Sequence, residues 1–244
     1  MIRLIATDLD GTLLNNEHKI SDYNKKIISA VNEKGIKFIL STGRPTSAAT
    51  KFLEDLNIET DMISFNGAMI TDRKGNILYE DNLESHIGKE LIEIAKKYKV
   101  YYQGFLGERW NLSDSKSKWL DFYISIAKIN NYKLGFNNIK DFSFSKFMFI
   151  GENHILKEIA KEIDKKLKDK VYYTFSRPVY LEVHSPKVSK ANALSFLLKK
   201  YNIERENIMA FGDNNNDIEM LELAKISVAV ENAESIVKEK AKYI

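Results

Sequence analysis

The stretch IATDLDGTLL, residues 5–14, passes from an apolar strand to a polar loop within a few positions. Residues 2–7 form a short apolar run of the kind that predicts a buried strand. Asp8 and Asp10 follow this run, and Gly11 then permits a tight turn. Side chains two positions apart on an extended chain point the same way. Once the chain turns at Gly11, both carboxylates can therefore face one small site.

Two carboxylates that lie close together need a cation or a proton to offset their repulsion. Mg²⁺ suits them, because it takes oxygen ligands and completes its shell with water and phosphate oxygens. A carboxylate beside Mg²⁺ can also act as a nucleophile and form an aspartyl phosphate. The alternative is that Asp8 and Asp10 only form the turn before Gly11, since Asp and Gly are common turn residues.

Strands and helices alternate at both ends of the chain, which predicts a parallel sheet with right-handed crossovers. A helix over 21–34 is expected to begin after the cap Ser21 and to place Ile27, Ile28 and Val31 on its inner face. Thr46 is expected to cap the next helix. The predicted strands are 2–7, 36–40, 62–65, 208–211 and 226–230; the later helices are 189–201, 217–223 and 233–241; a hairpin is predicted over 68–79.

The middle of the chain differs in composition, being rich in Tyr, Phe and Lys. An ordinary crossover needs only a dozen or more residues, so residues 84–186 are predicted to be an inserted α+β domain. Residues 1–83 and 187–244 then form the α/β core, a Rossmann-like doubly wound parallel sheet. The insert has 18 Lys and Arg against 13 Asp and Glu. That balance suits an anionic substrate, but a solvated lysine-rich surface is the simpler explanation. Helices are predicted at 88–98, 116–129 and 155–167, and strands at 100–106, 146–150, 171–175 and 180–184.

Three further polar clusters follow predicted strands or open predicted helices. After the second strand, Thr42 offers a hydroxyl, Gly43 lets a ligand approach the backbone, and the next helix begins with amides that favour anions. Lys190 opens a helix and can place a point charge on a phosphate oxygen. In GDNNNDIEML, residues 212–221, acidic groups again follow a strand. A plain turn, a solvated lysine and a helix cap are the respective structural alternatives.

Taken together, these clusters predict one site at one edge of the core sheet. Ligands of open α/β sheets bind beyond the carboxyl ends of the strands, where all four clusters are expected to lie. The clusters supply carboxylates, hydroxyl and amide donors and one lysine. Phosphoryl transfer needs mainly positioning and neutralisation of oxygen charge, so this inventory matches that reaction class.

With these motifs in order, the chain resembles the haloacid dehalogenase superfamily of phosphohydrolases, and within it the Cof-type sugar phosphatases with a C2B-type α+β cap. The resemblance rests on DLDGTLL at 8–14, STGRP at 41–45, Lys190 in VSKANAL, and GDNNNDIEML at 212–221, with a further similarity at FNGAMI, 65–70. It implies a Mg²⁺-dependent phosphomonoester hydrolase that acts on small phosphorylated metabolites, sugar phosphates above all, through an aspartyl-phosphate intermediate.

The resemblance also implies a role for each motif residue. Asp8 would be the nucleophile and Asp10 the general acid/base. Mg²⁺ would be held by the Asp8 carboxylate, the Asp10 backbone carbonyl and the Asp213 carboxylate, with Asp217 acting through water or by orienting its neighbours. The residues implied to bind the phosphate or the substrate are Thr42, Gly43, Arg44, Lys190, Asn216 and Asn66.

Two features of the insert depend on the same resemblance. His184 stands where an apolar residue is common in the family, and we expect a strand-end residue rather than a catalytic one, because geometry comes before pKa in assigning a base. The cap would contact the part of the substrate beyond the phosphate. Its candidate contacts are Arg109, Trp110, Trp119, Arg177 and Tyr180, and the alternative is that the aromatic ones form the core of the cap.

Two other functions stay open at this point. One is a phosphomannomutase-like phosphotransferase, and the other is a non-catalytic sensor of phosphorylated metabolites. The sequence predicts a cytoplasmic monomer or weak homodimer whose partner is a small phosphorylated metabolite. The net charge of +3 is too small to imply nucleic acid, and no apolar run approaches the ~20 residues of a membrane span.

Overall fold

The apolar run before Asp8 forms the strand Leu4–Thr7, which lies near the centre of a seven-stranded sheet. The computed structural model describes all 244 residues and divides into two units. The first, Met1–Tyr79 with Ser189–Ile244, is called the core unit below. The second, Glu80–Val188, is called the insert unit.

The core sheet is mostly parallel. Its strands are β1 Leu4–Thr7, β2 Lys37–Ser41, β3 Met62–Ser64, β4 Met69–Thr71, β5 Ile77–Glu80, β12 Ile208–Gly212 and β13 Ile226–Ala229. Their order is β13-β12-β1-β2-β3-β4-β5. The first five strands in this order run parallel, and β4 is antiparallel to β3. The helices of the core unit are α1 Asp22–Glu33, α2 Thr46–Leu56, α6 Lys190–Tyr201, α7 Ile218–Leu223 and α8 Ser235–Lys240.

Helices cover both faces of the core sheet. Alternate strand residues point to opposite faces, so neighbouring residues of one strand contact different helices. On β2, Ile39 packs in the cluster that α6, α7 and α8 complete. Its neighbours Phe38 and Leu40 pack instead with residues of α1 and α2. The predicted α/β class with a doubly wound sheet is therefore confirmed.

Two local predictions in the core unit were wrong. Ile27 is 48% exposed, and Ile28 is the one buried residue of α1, so this helix presents a narrower apolar face than the sequence indicated. Thr46 is the first residue of α2 rather than its cap. Pro45 precedes it with an extended backbone, and the Thr46 hydroxyl is hydrogen-bonded to that of Ser64. The cap of α1 is confirmed, since the Ser21 side chain accepts from the Asn24 amide.

The insert unit is built on a six-stranded sheet. Its strands are β6 Tyr101–Leu106, β7 Arg109–Leu112, β8 Tyr132–Leu134, β9 Lys146–Ile150, β10 Tyr172–Arg177 and β11 Tyr180–His184, and its helices are α3 Ser85–Tyr98, α4 Lys118–Ala127 and α5 Asn153–Leu167. The strand order is β10-β11-β9-β6-β7-β8. Helices α3 and α5 pack against one face of the sheet through Leu181, Val183, Phe147 and Phe149. Strands β7 and β8 were not predicted.

The aromatic candidates of the insert lie in its core. Trp110 is 2% exposed and stacks on Phe105, with the Tyr123 ring 5.3 Å away. Tyr180 is 4% exposed and contacts the ring of Phe122. Arg109 and Arg177 are exposed, and Trp119 is half-buried. Packing therefore accounts for Trp110 and Tyr180, as the alternative interpretation held. No helix of the structure combines the length and the apolar character needed to cross a membrane.

Candidate active site

Four polar segments meet at the carboxyl edge of the core sheet. Asp8 follows β1, Thr42 follows β2 and Asp213 follows β12, and these three strands are neighbours in the sheet. Lys190 is the first residue of α6, whose cap Ser189 accepts from the Asn192 amide. The sequence prediction of a single shared edge matches this arrangement.

Lys190 is the buried centre of the cluster. Its Nζ donates to Asp8 Oδ1 at 2.5 Å and to Asp217 Oδ1 at 2.7 Å. The side chains of Lys190 and Asp217 are fully buried, and that of Asp8 is almost as buried. Burial alone would lower the pKa of Lys190, but Asp217 and Asp8 outweigh it and raise that pKa above its usual value. Lys190 is therefore held as a fixed positive charge.

The carboxylates at this edge exceed the charge that one lysine can balance. Ligand oxygens of Asp8, Asp213 and Asp217 all lie within 4.8 Å of one another. Burial raises the pKa of Asp8 well above its usual value, and Lys190 offsets only part of that rise. Burial likewise raises the pKa of Asp213. The buried Oδ2 of Asp8 has no hydrogen-bond partner. An all-oxygen donor set with surplus negative charge and an unpartnered carboxylate oxygen fits Mg²⁺.

Asp217 differs from the other two carboxylates because both of its oxygens are engaged. Oδ1 accepts from Lys190, and Oδ2 accepts from the backbone amides of Asp213 and Asn214 at 3.0 and 3.1 Å. Of the two roles that the resemblance left open for Asp217, these contacts favour the orientation of its neighbours.

Asp213 is held by the turn that follows Asp8. The Thr12 hydroxyl donates to Asp213 Oδ1 at 2.8 Å. Gly11 has a φ of +89°, and a Cβ placed on it would overlap the Asp213 carboxylate. Gly11 is therefore required both by its backbone conformation and by the space that Asp213 occupies. Thr12 was not among the residues predicted for the site, although it directly follows Gly11 in the motif.

Gly11→Ala is expected to lower kcat by more than about tenfold, since small displacements at a reacting site have large effects. The added methyl group would push the Asp213 carboxylate from its place. Gly75→Ala is a matched control, because Gly75 has a similar φ of +83° and a Cβ added there would meet no atom within 4 Å. The control should lose a similar amount of stability through backbone strain, while its kcat should stay unchanged. Equal activity in the two variants would contradict the role given to Gly11.

Asp10 is paired with Arg44 and is not one of the three clustered carboxylates. Arg44 Nε and Nη2 donate to its two oxygens at 2.7 and 2.5 Å. The guanidinium also lies over the Phe52 ring, 5.3 Å from its centroid. In this conformation Arg44 engages both carboxylate oxygens of Asp10, the acid/base candidate. The ion pair joins residues 34 positions apart, so no local pattern signals it.

The remaining candidate ligands surround the loop after β2. Thr42 Oγ1 accepts from the Arg44 amide at 3.1 Å, while the Thr42 amide donates to the Ile63 carbonyl. Asn216 Nδ2 donates to Asn66 Oδ1 at 2.9 Å, although the two residues are 150 positions apart. The structure thus brings Asn66 and Asn216 together.

His184 lies in the insert unit as the last residue of β11. It is fully buried, and its Nδ1 is 3.1 Å from the Ser145 carbonyl oxygen. The neighbouring Glu182 forms a buried ion pair with Lys146 at 2.6 Å. Burial would raise the pKa of Glu182, but Lys146 and His184 outweigh it and lower that pKa to about 2. The position of His184 agrees with the expected strand-end residue.

The sheet edge, with its buried aspartates and lysine, has the charged groups that an enzyme of phosphoryl transfer requires. Comparison with known proteins gives the family. The family model of haloacid dehalogenase-like hydrolases matches residues 5–244. The chain belongs to this family, in its Cof branch, and it is a phosphatase.

Individual relatives agree with that assignment. The chain is 33% identical over 245 residues to the 5-amino-6-(5-phospho-D-ribitylamino)uracil phosphatase YcsE of Bacillus subtilis, covering 100% of this chain and 89% of the relative. It is 29% identical to the Bacillus subtilis phosphatase YwpJ, covering 97% and 92%. The crystal structure of a haloacid dehalogenase-like hydrolase from Bacteroides thetaiotaomicron matches with a TM-score of 0.91 and 28% identity, covering 100% and 94%.

Proposed function

We propose that this phosphatase is a Mg²⁺-dependent phosphomonoester hydrolase that forms an aspartyl phosphate on Asp8. One observation carries the proposal: the buried Asp8 carboxylate has one oxygen held by Lys190 and the other without a partner. A nucleophile needs such a fixed carboxylate with one available oxygen. The surrounding charges supply the neutralisation that phosphoryl transfer requires.

The proposed reaction has two steps. An oxygen of Asp8 attacks phosphorus, the bond from phosphorus to the leaving oxygen breaks, and Asp10 gives its proton to that oxygen. Asp10 then takes a proton from water as the water attacks phosphorus and releases Asp8. Because Arg44 binds both oxygens of Asp10 in this structure, the acid/base role requires that ion pair to open.

The remaining residues bind and orient the phosphoryl group in this proposal. Lys190 and the hydroxyl of Thr42 face its oxygens together with the backbone of Gly43, and Arg44 becomes available when it leaves Asp10. Asp8, the Asp10 carbonyl and Asp213 would hold Mg²⁺, while Asp217 orients Asp213 and Lys190. Bound Mg²⁺ would neutralise charge on the phosphoryl oxygens and favour the ionised form of Asp8.

Small sugar and polyol phosphates are the proposed substrate class. The name of the Bacillus subtilis relative YcsE specifies a phosphorylated ribityl compound, which is a phosphomonoester on a polyol chain. We propose that the insert unit selects the alcohol part of the substrate. Its exposed Arg109 and Arg177 and its half-buried Trp119 remain the candidate contacts.

A phosphate-release screen tests the proposed function. The panel holds hexose, pentose and polyol phosphates, the phosphoribityl compound of the relative, and an activated aryl phosphate, each with and without Mg²⁺. We expect Mg²⁺-dependent phosphate release from members of the sugar and polyol group. Isomerisation of a hexose phosphate primed by a bisphosphate would indicate the phosphotransferase instead. Saturable binding with no turnover of any compound would indicate the sensor.

Mg²⁺ is expected to raise the unfolding temperature of the wild-type protein, and Asp213→Asn is expected to remove that effect. A ligand that binds only the folded state stabilises that state by about 2.7 kcal/mol when the ligand concentration is a hundred times its Kd. Differential scanning fluorimetry with increasing Mg²⁺ measures the shift. Asp61→Asn is the matched control, since Asp61 is a buried aspartate of the core unit paired with Lys200. It should lose stability but keep the Mg²⁺ shift.

The Mg²⁺ shift should grow as the pH rises. The folded pKa values of Asp8 and Asp213 lie above the unfolded ones, so the metal-free folded state binds more protons than the unfolded state. Its stability therefore decreases as the pH rises from the usual aspartate pKa through these raised values. Mg²⁺ requires the deprotonated carboxylates and relieves this loss. A shift that is independent of pH, or is retained in Asp213→Asn, would contradict the assigned metal ligands.

A further inference from the structure

The turn Phe65–Gly67 in the core unit has an unusual backbone. Its three residues have φ angles of +51°, +59° and +105° in succession. Glycine adopts positive φ readily and asparagine tolerates it, whereas a bulky residue such as phenylalanine rarely does. Phe65 is nevertheless fully buried in this conformation. Such strain persists where the surroundings fix the backbone, and it is concentrated at functional sites.

The surroundings of this turn are the loop after β2 and the start of α6. The Phe65 amide donates to the Arg44 carbonyl at 3.0 Å, and the Asn66 amide donates to the Thr42 carbonyl at 2.9 Å. A Cβ on Gly67 would overlap the backbone of Ser189, the residue before Lys190. The turn is therefore seated against two of the segments that form the candidate active site.

The side chain of Asn66 reaches a third segment. Its Oδ1 accepts from Asn216 Nδ2 at 2.9 Å and would lie 2.7 Å from a Cβ on Gly43. Any residue larger than glycine at position 43 would displace this oxygen. One carboxamide thus lies between the loop after β2 and the loop after β12, which no covalent connection joins locally.

We propose that Asn66 is a positioning residue that fixes the Thr42–Gly43 loop and Asn216 relative to each other, rather than a ligand of the substrate. The left-handed backbone directs the side chain, and the carboxamide oxygen makes the link. This inference rests on the proposed function of the same site. A loosened link would misplace the groups around the phosphoryl oxygens, and a displacement of about 1 Å at a reacting site can cost a hundredfold in rate.

The test compares Asn66→Gly, Asn216→Ala and the double variant with wild type. Glycine keeps the left-handed backbone at position 66 and removes only the carboxamide. We expect Asn66→Gly to unfold near the wild-type temperature but to lower kcat by about 10- to 100-fold. Inhibition by inorganic phosphate should weaken as well. Because both single variants break the same link, the double variant should be little worse than either one.

Asn57→Gly is the matched control. Asn57 is the C-terminal cap that follows α2, with a φ of +51°, so this variant makes the same replacement in the same backbone region outside the site. Its kcat should equal that of wild type. The proposal would be overturned if Asn66→Gly kept the wild-type kcat. It would also be overturned if the loss of kcat in the double variant equalled the product of the losses in the two single variants. A change confined to KM that varies with the alcohol part of the substrate would overturn it as well. A wild-type protein without turnover on any phosphate monoester would instead overturn the proposed function.

Discussion

Asp8→Asn is expected to lower kcat for phosphate release by at least about 10⁴-fold, as loss of a covalent nucleophile does in other enzymes. The amide keeps the shape of the carboxylate but has no anionic oxygen that could attack phosphorus. The measurement is steady-state phosphate release at saturating Mg²⁺ with a substrate from the screen. Activity within tenfold of wild type would reject Asp8 as the nucleophile.

The fold of Asp8→Asn should remain intact, which separates a chemical effect from unfolding. Lys190 also contacts Asp217, at 2.7 Å in this structure, and we expect the variant to retain that contact. Burial raises the folded pKa of Asp8 above its unfolded value, so an ionised Asp8 costs stability at neutral pH, and a neutral amide removes that cost. We therefore expect an unfolding temperature at or above that of the metal-free wild type. Asp61→Asn, the matched buried aspartate, should show the opposite pattern of lower stability and unchanged kcat.

Lys190→Met is expected to lower both activity and stability. Methionine fills a similar volume but leaves Asp8 and Asp217 buried without their shared ammonium group. Removing one partner of a buried ion pair typically costs about 3–5 kcal/mol. The kcat should fall by about 10³-fold, since a positive charge that neutralises the transferred phosphoryl group is lost. Denaturant unfolding and phosphate release measure the two effects.

Lys200→Met is the control for Lys190→Met. Lys200 pairs with Asp61 at 2.5 Å, in the core unit and outside the candidate site. Its loss should reduce stability by a smaller amount, because its side chain is 37% exposed, and should leave kcat unchanged. Full activity in Lys190→Met, with the fold retained, would contradict the role of Lys190 at the phosphoryl group. The stability loss in Lys190→Met should shrink as the pH falls and Asp8, whose pKa burial raises, becomes protonated.

Much of the core fold was predictable because its central strands are largely buried and because α1 and α6 begin after serine caps. Thus β2 and β12 appear in the sequence as continuous apolar runs, each ending in a polar motif. Strand β7 gave no such signal, since it carries the buried Asn111, whose side chain donates to the Gly135 carbonyl. Strand β8 is a three-residue edge strand whose Leu134 is 63% exposed. Pairing with neighbours, rather than local pattern, forms these two strands.

The sequence could place several candidate residues at one edge of the sheet, but it did not indicate their contacts. Asp8 and Asp213 could be placed at one edge because parallel strands end there together, and Lys190 was placed with them as the first residue of a predicted helix. The bond from Thr12 to Asp213 spans 201 positions, and the contact of Arg44 with Asp10 depends on the rotamers of two long side chains. The positive φ of Phe65 has no sequence signature at all, because phenylalanine disfavours it.

The phosphoryl-enzyme itself gives the most direct test of the proposed chemistry. Asp10→Asn lacks the base that would activate water, so it should accumulate the intermediate when it is mixed with an activated aryl phosphate and Mg²⁺. Acid quenching followed by mass spectrometry of the peptides locates the modification. We expect the added mass of one phosphoryl group on the peptide that contains Asp8, and none in Asp8→Asn treated in the same way. The assignment of Asp8 as the nucleophile would be contradicted if the wild type released phosphate but the phosphoryl group was found on another residue or on no residue.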